Sequence, residues 1–162
     1  LLQGGRQRIA CVCPLGSIVG RDRHRGYQRA LAEAGLPYDP QLVQPVPDWF
    51  EESGARALRA LMALPRRPQA ILAAGDQLAI GVYRAAAELG VRIPQDLAVA
   101  GYDDIPAAAS LQPPLTTVRT SYYDFGARAT TLLLDLIAGR VAPPQRVVLD
   151  APLIVRGSCG QT

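Results

Sequence analysis

Short, almost wholly apolar runs recur along the chain, and each is followed by a longer stretch whose apolar residues return every three or four positions. The first run, residues 9–12, is closed by Pro14 and Gly16. Residues 21–34 then place Tyr27, Ala30, Leu31 and Ala34 at helical spacing and end at Gly35, a natural C-terminal stop. A second run at 42–46 leads to Asp48, whose carboxylate can cap a helix with Glu51 three residues on, in the manner of a capping box. Phe50, Leu58, Leu61 and Met62 supply that helix with a buried stripe, and Pro65 stops it. The third run, 70–74, precedes a helix over 77–89 behind Asp76, with Leu78, Val82, Ala85 and Leu89 on one face and Gly90 at its end. The fourth, 97–100, runs into a glycine and two adjacent carboxylates, Gly101-Tyr102-Asp103-Asp104.

Strands alternating with helices at this rhythm predict an α/β fold: a mainly parallel sheet between two helical layers, because right-handed crossovers lay each helix over the sheet. Ligands of such sheets collect beyond the carboxyl ends of the strands. Residues 14–23, 47–49, 75–76 and 101–104 all follow strand ends, so they are expected to share one rim. The tail breaks the rhythm with an extended segment begun by Pro113-Pro114, a helix over 123–138 with Phe125, Ala129, Leu132, Leu133, Leu136 and Ile137 on its apolar side, and strands at 146–149 and 153–156.

Composition narrows the class. With 162 residues, 49% hydrophobic and only 19% charged, the chain fits one globular domain with a sizeable core. The net charge of +3 is concentrated before Pro68 and is weaker than a nucleic-acid surface usually carries. No apolar run approaches the ~18 residues of a membrane helix. Three cysteines with no CxxC pair argue against a disulfide framework and suit a reducing compartment, so a cytoplasmic location is expected. The opening "LLQGG", without an initiator methionine, reads as entry from a preceding segment of a longer protein.

All 17 basic residues are arginine. Without lysine there is no phosphate-binding GxxxxGK[ST] loop, and no GxSxG elbow, HExxH zinc motif or GxGxxG dinucleotide loop occurs either. No catalytic residue, metal or cofactor is therefore assigned. Asp103-Asp104 admits three uses: an acid or metal pair, a ligand acceptor, or a turn. Adjacent strand-end residues point apart, which favours Asp103 as the acceptor and Asp104 as a turn residue bonding nearby backbone amides. Arg21, Arg23 and Arg25 with His24 form the densest basic patch, either a solvated face or one arginine turned inward to a ligand oxygen. Trp49, the sole tryptophan, is either core or a flat wall for a sugar or base ring. Of Tyr122 and Tyr123, one is expected in a cleft and the other in the core; Cys11 and Cys13 read as small buried thiols.

Four segments, "RDRHRGYQRALAEAGL", "AILAAGDQLAIGVYRAAAELGVRIPQDLAVAGYDDIP", "PPLTTVRTSYYDFGARAT" and "PLIVRGS", give the chain from Arg8 to Ser158 a strong likeness to one family. It resembles the effector-binding core of LacI/GalR transcriptional regulators, related in fold to type I periplasmic sugar-binding proteins. The resemblance implies a non-enzymatic sensor of a small effector, a sugar or nucleoside-like compound, with Arg23 and Asp103 holding the ligand, Trp49 as an aromatic wall and Tyr122 near the hinge. The family's usual asparagine before Asp76 is Gly75 here, which leaves that ligand contact to water or to a larger ligand. Val19 stands where some members carry a polar residue. The likeness further implies an effector-binding lobe over 8–119 and a crossover helix with strands over 120–158 that packs partly on another lobe. It implies a homodimer through Gln77, Ile80, Arg84, Ala108, Leu111 and Gln112, and DNA contact only through a helix-turn-helix outside this segment, with no membrane partner. A soluble sugar-binding protein of a transport system is the alternative.

Overall fold

Every residue of β1 (Ile9–Cys13) is buried, as a strand covered on both faces must be. In the computed structural model, which describes residues 1–160, β1 lies at the centre of a parallel sheet. The order is β2 (Val43–Pro45), β1, β3 (Ala70–Ala73), β4 (Ala98–Ala100). Ile9 stands opposite Ala70 and Cys11 opposite Val43, while Ala70 faces Ala98 across the next pair. Beyond β4 the ladder is continued by later chain: Gly101 donates to Thr116 at 2.9 Å and Asp103 to Val118 at 2.8 Å. There β5 (Thr117–Val118) pairs antiparallel with β6 (Leu153–Ile154).

Between the strands run α1 (Ile18–Glu33), α2 (Glu51–Met62), α3 (Asp76–Glu88) and the short α4 (Pro106–Ser110). The core is aliphatic: Leu58, Leu61, Ile71, Leu78, Val82, Leu97, Val99 and Leu115 are fully buried. Helices α2 and α3 cross so closely that a Cβ on Gly54 would stand 2.1 Å from the Leu78 carbonyl oxygen, and one on Gly81 would stand 1.8 Å from that of Glu51. Cys11, Cys13 and Cys159 are free thiols and buried.

Several expectations are corrected at element ends. Helix α1 starts three residues early because Ser17 caps it, its Oγ accepting from Gly20 N at 2.9 Å. Asp48 does not cap α2. Its Oδ1 accepts from Phe50 N at 3.1 Å in an Asx turn, so Phe50 becomes the N-cap residue and is 70% exposed instead of joining the stripe formed by Leu58, Leu61 and Met62. Residues 146–149 form no strand and pair with none of the strands; Val147 and Leu149 instead line a small cavity with Phe125, Arg128 and Leu132. Pairing in the next predicted strand is confined to Leu153–Ile154. Helix α5 (Tyr122–Ile137) has no buried residue, and Phe125, Leu133, Leu134 and Ile137 are exposed. Tyr123 is 84% exposed and so does not enter the core, because the helix face that carries it has nothing packed on it.

Candidate functional site

The carboxyl ends of β1, β3 and β4 and the loop after β2 open onto a common cleft of about 430 Å³. It is lined by Ser17, Val19, Arg23, Trp49, Gly75, Gln77, Asp103 and Tyr122. Each is placed by its element. Arg23 follows the capped start of α1, Trp49 precedes α2, Gly75 is the extended N-cap of α3, and Asp103 leaves the end of β4.

Of the basic patch, only Arg23 turns inward. Arg21 bonds the carbonyls of Leu15 and Gly16, and Arg25 pairs with Asp22. The Arg23 guanidinium donates to the Ala74 carbonyl and, at 3.2 Å, to Asp103 Oδ1. Its carbon lies 3.7 Å from the centre of the Tyr102 ring and 5.2 Å from that of Trp49, so it packs over both aromatic faces. The absence of a side chain at Gly75 matters here: a Cβ would stand 3.2 Å from Trp49 Cε3 and 3.5 Å from Asp103 Oδ2. Gly75 therefore lets the tryptophan lie close over the rim. Tyr122, largely exposed, borders the cleft from the start of α5; burial raises its phenol above the ordinary range, and the neighbouring Asp103 carboxylate adds to this.

Asp103 and Asp104 have φ of +118° and +55°, conformations that cost L-residues on the order of 1–3 kcal/mol each and persist only where neighbours over-determine them. Backbone bonds hold Asp103: its N–H goes to Val118 and its carbonyl accepts from Thr120 N at 3.3 Å. Asp104 is held by its side chain. Instead of the local amides expected of a turn residue, its carboxylate takes Arg119 Nε at 2.6 Å and Arg156 Nη2 at 2.7 Å. Burial works to raise this carboxyl, but the two guanidiniums hold it below the ordinary range. Tyr102, Arg119 and Arg156 escaped sequence reasoning as site-supporting residues. The available signal was the arginine in each of the two late segments carrying the family likeness.

Asp76 is the predicted ligand residue that does not reach the cleft. It is completely buried behind the rim as the first residue of α3, with Oδ1 accepting from Thr117 Oγ1 at 2.7 Å and Oδ2 from Ile105 N at 3.0 Å. Its own chain thus occupies it. Asp76→Ala is expected to destabilise the fold by about 3 kcal/mol in urea unfolding, because the buried Thr117 hydroxyl and the part-buried Ile105 N–H both lose their acceptor. Asp76→Asn can still accept from Ile105 and donate to Thr117, and should be far milder. Burial is the main influence raising the Asp76 carboxyl, outweighing the hydrogen bonds from Thr117 and Ile105. The folded state then holds the proton longer than the unfolded chain. Stability should fall as pH rises from the ordinary carboxyl value to the raised folded one, then level off, and Asp76→Asn should flatten that slope.

The residues expected at a dimer surface separate. Gln77 and Arg84 are exposed, Arg84 pairing with Glu52 at 2.5 Å, and Gln112 is exposed. Ile80 and Leu111 are half-buried. Ala108 is fully buried, because α4 is so short that its one inward position is taken by that residue, so it makes no surface contact. Among the described residues no cluster of three or more His, Cys, Asp or Glu is placed to hold a metal, and no helix is long and apolar enough to cross a membrane.

A parallel sheet whose strand ends frame an aromatic-walled cleft with an arginine–aspartate pair defines a ligand-binding α/β domain. The chain belongs to the periplasmic binding protein-like family, whose model matches residues 1–159. It is 38% identical to the ribose operon repressor of Escherichia coli K12 over 98% of this chain and 48% of the repressor. It is 36% identical to the HTH-type transcriptional regulator CelR of Thermobifida fusca over 98% of this chain and 46% of that protein. Among solved structures, the CelR–cellobiose complex superposes with a TM-score of 0.90 at 37% identity, covering 98% of this chain and 48% of that one. A LacI-family regulatory protein from Chloroflexus aggregans superposes at 0.91 with 36% identity, covering 97% and 57%. The chain spans about half the length of the curated relatives it matches. The LacI-type resemblance read from the four segments is what these relatives display.

Proposed function

We propose that this chain is the effector-sensing part of a LacI-type transcriptional regulator, and that its effector is a small ring-shaped polar compound, a sugar or nucleoside-like molecule. The observation that carries the reading is the Arg23–Asp103 pair, held at a strained strand end and facing a cleft walled by Trp49. A carboxylate acceptor beside a planar donor suits a pair of ring hydroxyls, and the indole suits the ring's apolar face. The complex of the similar CelR with cellobiose and the repressor names of the relatives support a sugar-sensing regulator over a transport protein. In this reading residues 8–119 form one lobe, while 120–158 cross to another lobe that covers the exposed face of α5. Effector binding then shifts the population of lobe arrangements, and with it the operator affinity of a helix-turn-helix elsewhere in the longer protein. The protein is cytoplasmic, non-enzymatic, free of cofactors, and a homodimer through Gln77, Ile80, Arg84, Leu111 and Gln112.

Because Trp49 is the only tryptophan in this segment, its emission reports on the cleft. Titration of the full protein, with any other tryptophan replaced, against a panel of sugars and nucleosides beginning with D-ribose and cellobiose should give a saturable change for one member, with that compound recovered unaltered. Asp103→Ala should abolish it. Unchanged emission and an unmoved unfolding temperature across the panel would count against the reading.

A further inference from the structure

The carboxylate of Asp104, one residue beyond the ligand acceptor, is only 7% exposed and belongs to three pieces of chain at once. Arg119 stands between β5 and the outgoing crossing to α5, and its N–H bonds the Pro152 carbonyl of the returning chain at 2.9 Å. Arg156 lies just past β6 on that returning chain, where its Nη1 also bonds the Leu115 carbonyl at 2.8 Å and its N–H the Thr116 hydroxyl at 2.8 Å. Asp104 thus ties the strand end that aims Asp103 to the segments by which α5 leaves and returns. Its own backbone is left-handed, a state in which asparagine or glycine would sit at least as well, so the conformation alone does not call for a charge. The charge is matched to the two arginines.

We infer that Asp104 is a positioning residue: its ion pairs with Arg119 and Arg156 hold the strained Asp103–Asp104 turn against both crossings, coupling effector contact at Asp103 to movement of α5. This rests on the reading of the cleft as the effector site. A ligand that draws on Asp103 must pull on, or be resisted by, the turn that Asp104 fastens. Loss of the clamp therefore weakens binding although Asp104 does not line the cleft.

Asp104→Asn in the full protein tests this, since asparagine keeps the shape and tolerates the left-handed backbone while removing the charge. In the free protein, amide hydrogen exchange at Asp103, Arg119 and Thr120, the three N–H groups that bond across the turn and the crossing, is expected to speed up about tenfold, with β1 and β3 unchanged. In Trp49 titrations with D-ribose and cellobiose, the probe that binds the wild type should bind about tenfold more weakly while reaching the same final emission, because no ligand contact is lost. Unchanged exchange at those three amides overturns the clamp whether or not either probe binds; faster exchange with unchanged probe affinity overturns the positioning role. Failure of the wild type to bind any of the panel would instead defeat the effector reading, with the exchange result still deciding the clamp. Should Asp104→Asn fail to fold, Arg119→Gln removes the more exposed arm, at 53% exposure, and should loosen the same three amides.

Discussion

Arg23→Ala is expected to weaken effector binding by a hundredfold or more, on the order of 3 kcal/mol, with the fold retained. The size follows from what the guanidinium does simultaneously: it packs over the Tyr102 and Trp49 rings, bonds the Ala74 carbonyl, and pairs with Asp103. Truncation removes the donor proposed for the effector and also leaves the Asp103 carboxylate without its partner at a left-handed position. Both side chains of the pair are only about one-fifth exposed (20% and 19%), so solvent cannot fully replace the lost interaction, and about 1–2 kcal/mol of fold stability should go with it. Arg23→Lys keeps the charge but not the flat, forked donor that lies over Tyr102 while bonding in two directions, and should still cost roughly tenfold. Calorimetric titration with the compound that moves Trp49 emission measures both variants. The Arg23→Ala, Asp103→Ala double variant should lose less than the sum of the two, because each single change already destroys the pair. Wild-type affinity in Arg23→Ala would remove Arg23 from the site.

The cleft was legible because its residues sit where a local pattern meets a general rule. The βα rhythm locates strand ends, and strand ends of a parallel sheet share a rim, so Arg23, Trp49, Gly75 and Asp103, scattered over eighty residues of sequence, come together as expected. What escaped depended on partners that periodicity does not carry. Asp76 looks like any acid at a helix start, but Thr117, 41 residues on, supplies one of its donors. Gly101 completes its burial: a Cβ there would stand 2.2 Å from Asp76 Oδ1, so only glycine lets the end of β4 close over it. Asp104 finds its arginines 15 and 52 residues away, which overrides its local turn chemistry. Asp48 failed for the opposite reason. The N–H groups two and three residues on are rival local partners for its carboxylate, and Asp48 takes the nearer, that of Phe50. At 146–149 the apolar run with Val147 and Val148 was real, but a strand needs a neighbour's hydrogen bonds as well as propensity, and this run pairs with no strand.

Gly81→Ala should lower the unfolding temperature by roughly 10 °C, a cost of about 3 kcal/mol or more in a domain of this size. The added methyl would lie 1.8 Å from the Glu51 carbonyl oxygen, 2.6 Å from its carbon and 2.9 Å from Ala55 N. All three are backbone, so no side chain can rotate aside; α2 must retreat from α3. The gain from replacing glycine by alanine within a helix, about 1 kcal/mol, offsets only part of this. Gly54→Ala meets the same crossing from the other helix, 2.1 Å from the Leu78 carbonyl oxygen, and should cost similarly. Once either change has forced the helices apart, the second should cost much less than it does alone. The displacement should also be felt in the cleft. Glu51 opens α2 two residues after Trp49, and α3 begins beside Gly75, the glycine that lets the indole approach the rim. Moving the start of α2 therefore moves the aromatic wall relative to Asp103. Gly81→Ala should accordingly weaken binding of the compound that perturbs Trp49 emission, even at temperatures where the variant remains folded. Full wild-type stability in Gly81→Ala would contradict the close α2–α3 crossing, whereas lost stability with wild-type affinity would show that the wall is anchored from elsewhere on the rim.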